Sequence, residues 1–132
     1  MSVTDDVGYL HIWGQASEHD DATIIGSEKA LKALRDAIDA AIERTVAGAG
    51  TVFAGDGEGY YVTVVCLDAP RVWRRLAVPY TAEYSQETRD GALWPWHIIQ
   101  AYVQLQLCGT VSRAALEAAL GGDEGADNAR DD

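Results

Sequence analysis

Positive charge is what this sequence has least of. Ten Lys and Arg stand against 21 Asp and Glu, a formal net charge of −11 in 132 residues. So acidic a chain repels nucleic-acid phosphates and anionic membranes and draws basic partners, because its summed field acts before any contact forms. Long apolar runs are missing too. The longest apolar-rich stretches reach about ten residues, broken by Gln, Arg or Thr, where a bilayer asks for about 20. A soluble protein is expected. Met1 to Val7 holds Asp5 and Asp6 but no basic stretch followed by an apolar run. No secretory signal is read there, and the expected compartment is the cytoplasm.

Cysteine is rare as well. Cys66 lies in an apolar strand-like run and Cys108 near the end of an apolar helical run, with no CxxC spacing to suggest zinc or redox chemistry. Buried free thiols are the expectation, and a Cys66–Cys108 disulfide the alternative. No GxxxxGK[ST] phosphate loop occurs, and Ser17, Ser27, Ser85 and Ser112 lack a nucleophile elbow. Nothing in the sequence implies a cofactor or a catalytic residue.

What is present is enough apolar material to fold: 48% of the chain is hydrophobic. Tyr9 to Trp13 and Ala22 to Ile25 read as strands, each stopped by a glycine and joined by a polar loop with Glu18, His19, Asp20 and Asp21. Ser27 then offers an N-cap to a helix carrying Leu31, Leu34, Ile38 and Ile42, with Ala30, Ala37 and Ala41 alongside. Lys32 with Asp36 and Arg35 with Asp39 stand four apart on its polar face, and Gly48, Ala49 and Gly50 close it.

Thr51 to Ala54 and Tyr60 to Leu67 flank Gly55-Asp56-Gly57-Glu58-Gly59, a β-hairpin signal. The second of these strands is apolar on both faces, as an interior strand would be. Val72 to Val78 suggests a further strand, stopped by Pro79, and Tyr80 to Asp90 is irregular. Pro95 and Gly109 frame a helix, and Ser112 caps a shorter one that ends at Gly121-Gly122. This order predicts an α+β fold: a single domain over 1–121, mainly antiparallel sheet of four to five strands, packed by a long helix and one or two C-terminal helices. Residues 122–132 hold five acids, one base and no large apolar side chain, and predict a flexible acidic tail. Its −4 leaves −7 on the rest of the chain.

Two acidic loops are the candidate sites. His19-Asp20-Asp21 beside Glu18, with His11 across the hairpin, has the side chains of a metal or proton-relay site. A solvated acidic turn accounts for it more simply, since neighbouring loop residues do not converge on one ion without an unusual turn. Asp56-Gly57-Glu58-Gly59 lacks the alternating oxygen ligands and distal acid of an EF-hand, so Asp56 and Glu58 present charge at a loop tip. Four Trp and six Tyr complete the inventory. Tyr84 and Trp94 fit interface anchors among Glu83 and Glu87, while Trp94 and Trp96 serve equally well to seal a sheet and helix edge. His97 reads as a half-buried packing residue.

Asp20 to Ser27, the Leu31/Leu34/Ile38/Ile42 helix and Asp56-Gly57-Glu58-Gly59-Tyr60-Tyr61-Val62-Thr63-Val64 together resemble small bacterial immunity proteins, the antidotes of secreted or contact-delivered toxins. The resemblance covers residues 9–67, about half the chain. It implies binding rather than turnover, with surface acids facing a basic toxin such as a nuclease.

The leading expectation is therefore an inhibitor that meets a basic protein partner through Glu18, Asp20, Asp21, Asp56, Glu58, Glu83 and Glu87, with Tyr84 and Trp94 as anchors. It binds neither nucleic acid nor membrane directly, and is a monomer or weak dimer. A phage-type anti-defence inhibitor that mimics nucleic-acid charge uses the same logic. A small metal- or ligand-binding enzyme built on the His19-Asp20-Asp21 loop is an alternative of another class, and a self-associating module pairing Trp94, Trp96 and Tyr102 is a third. Truncation after Gly122 is expected to leave the cooperative unfolding transition in place; its loss would place the end of the domain further along the chain.

Overall fold

Ser27 organises the first half of the chain by serving two amides at once. Its hydroxyl accepts from Ala30 N at 3.3 Å, capping the helix that follows, and from Tyr9 N at 3.1 Å, tying that helix to the first strand. A computed structural model describes residues 7–79, 91–109 and 111–121. It divides into two compact units: Met1–Cys66 with Pro79–Ser85, and Leu67–Val78 with Gln86–Asp132.

In the first unit, β1 (Leu10–Trp13) pairs antiparallel with β2 (Thr23–Gly26), setting Leu10 opposite Gly26 and Trp13 opposite Thr23. Helix α1 (Glu28–Arg44) follows, then β3 (Val46–Phe53) and β4 (Gly59–Val65), a second antiparallel pair with a bulge between Gly48 and Thr51. Leu10, Ala30 and Val52 form the core, with Tyr60 and Val62 packed against it.

The α+β class and the two hairpins are as the sequence indicates, but the strands form two two-stranded sheets rather than one sheet of four to five. Among the described residues, the one backbone bridge between the two pairs is parallel and joins Tyr9, just before β1, to Phe53 of β3, where Phe53 N donates to Gly8 O at 2.9 Å. Two residues further on, the Gly55 amide turns to the His11 side chain instead of to backbone. The ladder stops there. Among the described residues β4 pairs with β3 alone and leaves Tyr61 77% exposed, so it is an edge strand and not the interior strand its composition suggests.

α1 also departs from expectation. It buries Ala30, Leu34, Ala37 and Ala41, while Leu31, Ile38 and Ile42 are exposed. Its small residues permit close backbone approach: a Cβ added at Gly8 would lie 3.4 Å from Ala30. The polar face pairs Lys32 with Glu28 at 2.7 Å and Arg35 with Asp36 at 3.2 Å, not with Asp36 and Asp39 respectively. Glu placed four residues before Lys is the better orientation on a helix. The helix ends at Thr45, not at Gly48-Ala49-Gly50. Thr45 has φ +83°, donates to Ala41 O at 2.7 Å and accepts from Cys66 N at 2.8 Å. That turn converts helix directly into β3, and the glycines lie inside the strand beside its bulge.

The second unit is helical. The expected strand over 72–78 is instead α2 (Pro70–Arg75), with Pro70 in the first turn, where a missing N–H costs nothing. Glu117 of α4 (Arg113–Gly121) accepts from Asp68 N and Ala69 N at 2.5 and 2.9 Å, holding the residues that lead into α2. Leu76 continues in a short bridge to Leu93 before α3 (Pro95–Cys108), whose C-cap is Gly109 in the left-handed region. Ser112 caps α4 through Ala115 N at 3.0 Å. Val72, Leu93, Ile98, Leu116 and Leu120 are buried. Neither cysteine forms a disulfide, but Cys108 in the last turn of α3 is exposed and Cys66 half-buried, so neither is the buried thiol expected. The segment 80–90 and the tail 122–132 lie outside the described residues.

Ser27→Ala removes the acceptor of two amides and is expected to cost about 1–2 kcal/mol, the upper part of the N-cap range. Urea unfolding checks it, and an unchanged midpoint would contradict the organising role of this hydroxyl.

Candidate functional site

The parallel bridge between Tyr9 and Phe53 makes β1 and β3 run in the same direction, so the loops that follow them leave in that direction, the β3–β4 turn alongside His11 and the β1–β2 loop beyond Trp13. One is the β1–β2 loop with Glu18, Asp20 and Asp21; the other is the β3–β4 turn with Asp56 and Glu58. All five residues are exposed. The His11 ring fastens the second loop to the first strand, accepting from Gly55 N through Nε2 at 2.8 Å. That bond makes Nε2 the acceptor nitrogen and leaves the ring's other nitrogen to carry the proton.

Each loop is shaped by its own side chains. Ser17 Oγ donates to Asp20 Oδ2 at 3.0 Å, Gln15 Nε2 donates to Asp20 O at 3.1 Å, and His19 takes φ +71°. In the other turn, Ala54 N donates to Glu58 O at 2.8 Å and Gly57 N to Ala54 O at 2.9 Å. Asp56 Oδ1 accepts from Glu58 N at 3.0 Å, and Gly57 stands at φ +91°, a conformation that favours glycine.

Between the strands is an open depression of about 250 Å³ lined by Leu10, His11, Ile12, Trp13, Ala54 and Tyr60. It is smaller than the clefts of roughly 300–1,000 Å³ that hold drug-sized ligands. An inserted side chain suits it better. Strand alternation puts His11 and Trp13 on one face, their rings 5.2 Å apart in an edge-on arrangement. Tyr60 is fixed by its hydroxyl, which donates to Leu10 O. Trp13 is 49% exposed, so its ring is available to a ligand.

Charge is segregated across this unit. Its four Lys and Arg residues, Lys29, Lys32, Arg35 and Arg44, all lie on α1, and neither sheet nor either loop contains one. An aromatic depression on a cation-free surface with carboxylate-bearing loops at its end suits an Arg or Lys side chain, through cation–π contact and charge. Among the described residues, no three His, Cys, Asp or Glu side chains gather where they could hold a metal ion.

Of the residues singled out from sequence, Glu18, Asp20, Asp21, Asp56 and Glu58 thus belong to two exposed loops that follow parallel strands of the first unit. Trp94 belongs to the second unit, where it precedes α3 and stacks on Trp96 with centroids 5.2 Å apart and planes 2° from parallel. Its backbone N donates to His97 Nδ1 at 2.9 Å, which gives that half-buried histidine a helix-capping task. Glu83, Tyr84 and Glu87 lie outside the described residues. The depression itself was not anticipated, although the alternation of His11 and Trp13 in the first strand was its visible trace. The basic residues of the second unit include structural ones: Arg75 donates to the Leu120 and Gly91 carbonyls, and Arg113 pairs with Asp68 at 3.2 Å.

Compared with protein-family models, curated proteins and solved structures, the chain finds no match in any of the three. The site's chemistry therefore carries the functional reading alone.

His11→Ala deletes the acceptor for Gly55 N and is expected to speed hydrogen exchange at that amide several-fold, in line with a bond worth about 1 kcal/mol. Unchanged exchange would show that the turn holds itself in place without the imidazole.

Proposed function

We propose that the protein is an acidic inhibitor of the immunity type, acting in the cytoplasm, that neutralises a basic protein partner. The observation that supports this reading best is the shared direction in which the two acidic loops leave parallel strands of a unit whose sheets contain no Lys or Arg. A nuclease toxin is a suitable target, because a surface built to hold phosphates is basic and carboxylates can occupy it. Asp20, Asp21, Asp56, Glu58 and Glu18 steer the encounter, and an Arg or Lys of the partner lies against Trp13 in the depression. Charge of this kind acts mainly on the rate of association, while the desolvated aromatic contact sets the lifetime of the complex.

A phage-type anti-defence role rests on the same carboxylates and differs only in its partner, a nucleic-acid-binding defence protein. The metal-dependent alternative draws less support: His11 Nε2 is engaged by Gly55, and His19, Asp20 and Asp21 are neighbours in a turn.

Affinity capture from host lysate at low salt is expected to yield one near-stoichiometric basic protein, with much weaker capture at about 0.5 M salt, where charge steering is screened. The combined replacement Asp20→Asn, Asp21→Asn, Asp56→Asn and Glu58→Gln should slow association at least about tenfold while the unfolding midpoint stays close to wild type. Equal capture by this variant would count decisively against the acidic loops.

A further inference from the structure

The edge of β2 offers something the loops do not. Thr23, Ile24 and Ile25 are all exposed, the two isoleucines by 52% and 60%. Among the described residues, every backbone hydrogen bond of Thr23–Gly26 goes to β1, and Ser27 N continues that ladder to Tyr9 O at 2.9 Å. No strand among the described residues meets the alternate N–H and C=O groups along the outer side of β2. Exposed edges are ordinarily guarded by a charge, a proline or a bulge. Thr23-Ile24-Ile25-Gly26 contains no charged residue and no proline, and it pairs with β1 in unbroken register.

We propose that β2 is a docking edge for an extended, basic segment of the partner protein, which adds as a third strand beside it. The proposal rests on the acidic-inhibitor reading and says how the partner's backbone is held. Strand addition supplies main-chain hydrogen bonds, and alternate side chains of the added strand face opposite sides of the sheet. On one side they meet Ile24 next to Gly26, whose neighbourhood includes Leu10 and Leu31; on the other they meet Ile25, across the pair from His11.

Charge selects the occupant. Glu18, Asp20 and Asp21 precede the strand and Glu28 follows it, and the first 28 residues contain no Lys or Arg at all. A second copy of the chain is the wrong occupant, since pairing β2 with itself would set two sets of these carboxylates side by side within a net charge of −11 per chain. A strand flanked by Lys or Arg meets the opposite field.

The test uses the full chain and a synthetic peptide of about ten residues alternating Lys and Val, with a Glu/Val peptide as its counterpart. Two further Lys/Val peptides carry N-methyl groups on one or the other alternate set of residues, which blocks main-chain donation on one edge at a time and leaves the protein untouched. Backbone amide spectra and hydrogen exchange are followed during titration. The expected result is exchange slowed about tenfold or more within residues 23–26, with binding abolished by one methylation pattern and retained with the other. Equal binding of both methylated peptides, or shifts confined to residues 18–21 and 56–58, would overturn the strand proposal while leaving the acidic-inhibitor reading in place. Binding of the Glu/Val peptide as tightly as the Lys/Val peptide would overturn the basic occupant, and failure of the Lys/Val peptide to bind would sink both.

Discussion

The hydrogen bond from Gly55 N to the His11 ring ties the β3–β4 turn to the first strand, and the candidate site depends on that tie. Without it, the β3–β4 turn would be an ordinary hairpin tip and the β1–β2 loop a separate excursion. With it, and with the Phe53 to Gly8 bond just before it, two strands from different hairpins run in one direction and the β3–β4 turn is held against β1. The same bond has a structural cost. An amide that donates to a side chain cannot extend a β ladder, so the sheets remain two pairs, and the depression lined by His11, Trp13 and Tyr60 opens where further pairing would have closed it.

Helix α1 is the complement of that arrangement. It buries Ala30, Leu34, Ala37 and Ala41 and carries every Lys and Arg of the first unit, so the four strands hold no Asp, Glu, Lys or Arg and the loops that join each pair hold carboxylates without a Lys or Arg. Segregation matters more than the total. A net charge of −11 spread evenly would attract any cation weakly, whereas, on the proposed reading, carboxylates gathered on loops free of Lys and Arg would draw a guanidinium or ammonium toward the exposed Trp13 ring. In the second unit the cations are spent differently: Arg75 and Arg113 bind carbonyls and a carboxylate of their own unit.

Much of this was legible in the sequence wherever local chemistry decides the outcome. Ser27 before an apolar helix, Gly55 to Gly59 between two β-rich runs, Pro95 before a helix and Gly109 after it each specify a local geometry, and each is found there. The misses occur where tertiary contact overrides pattern. Thr45 ends α1 through bonds to Ala41 and Cys66, and no adjacent residue announces it. Val72 to Val78 has the composition of a strand, yet Pro70 starts a helix there and Glu117, some fifty residues on, holds the approach to it. Leu31, Ile38 and Ile42 fit a core stripe as well as the alanines do, and tertiary packing, with Gly8 close against Ala30, buries the alanine row with Leu34 instead. The carboxylates of the site were visible singly; that their loops leave in one direction follows from the bridge between Tyr9 and Phe53, which joins residues 44 positions apart.

The account depends most on the two loops acting as one surface, and hydrogen exchange of the complex with its captured basic partner tests this directly. The account predicts protection in residues 15–22 and 54–58 together, appearing in the same complex and fading together as salt is raised. Protection of only one of these segments, or of neither while the partner remains bound, would contradict it.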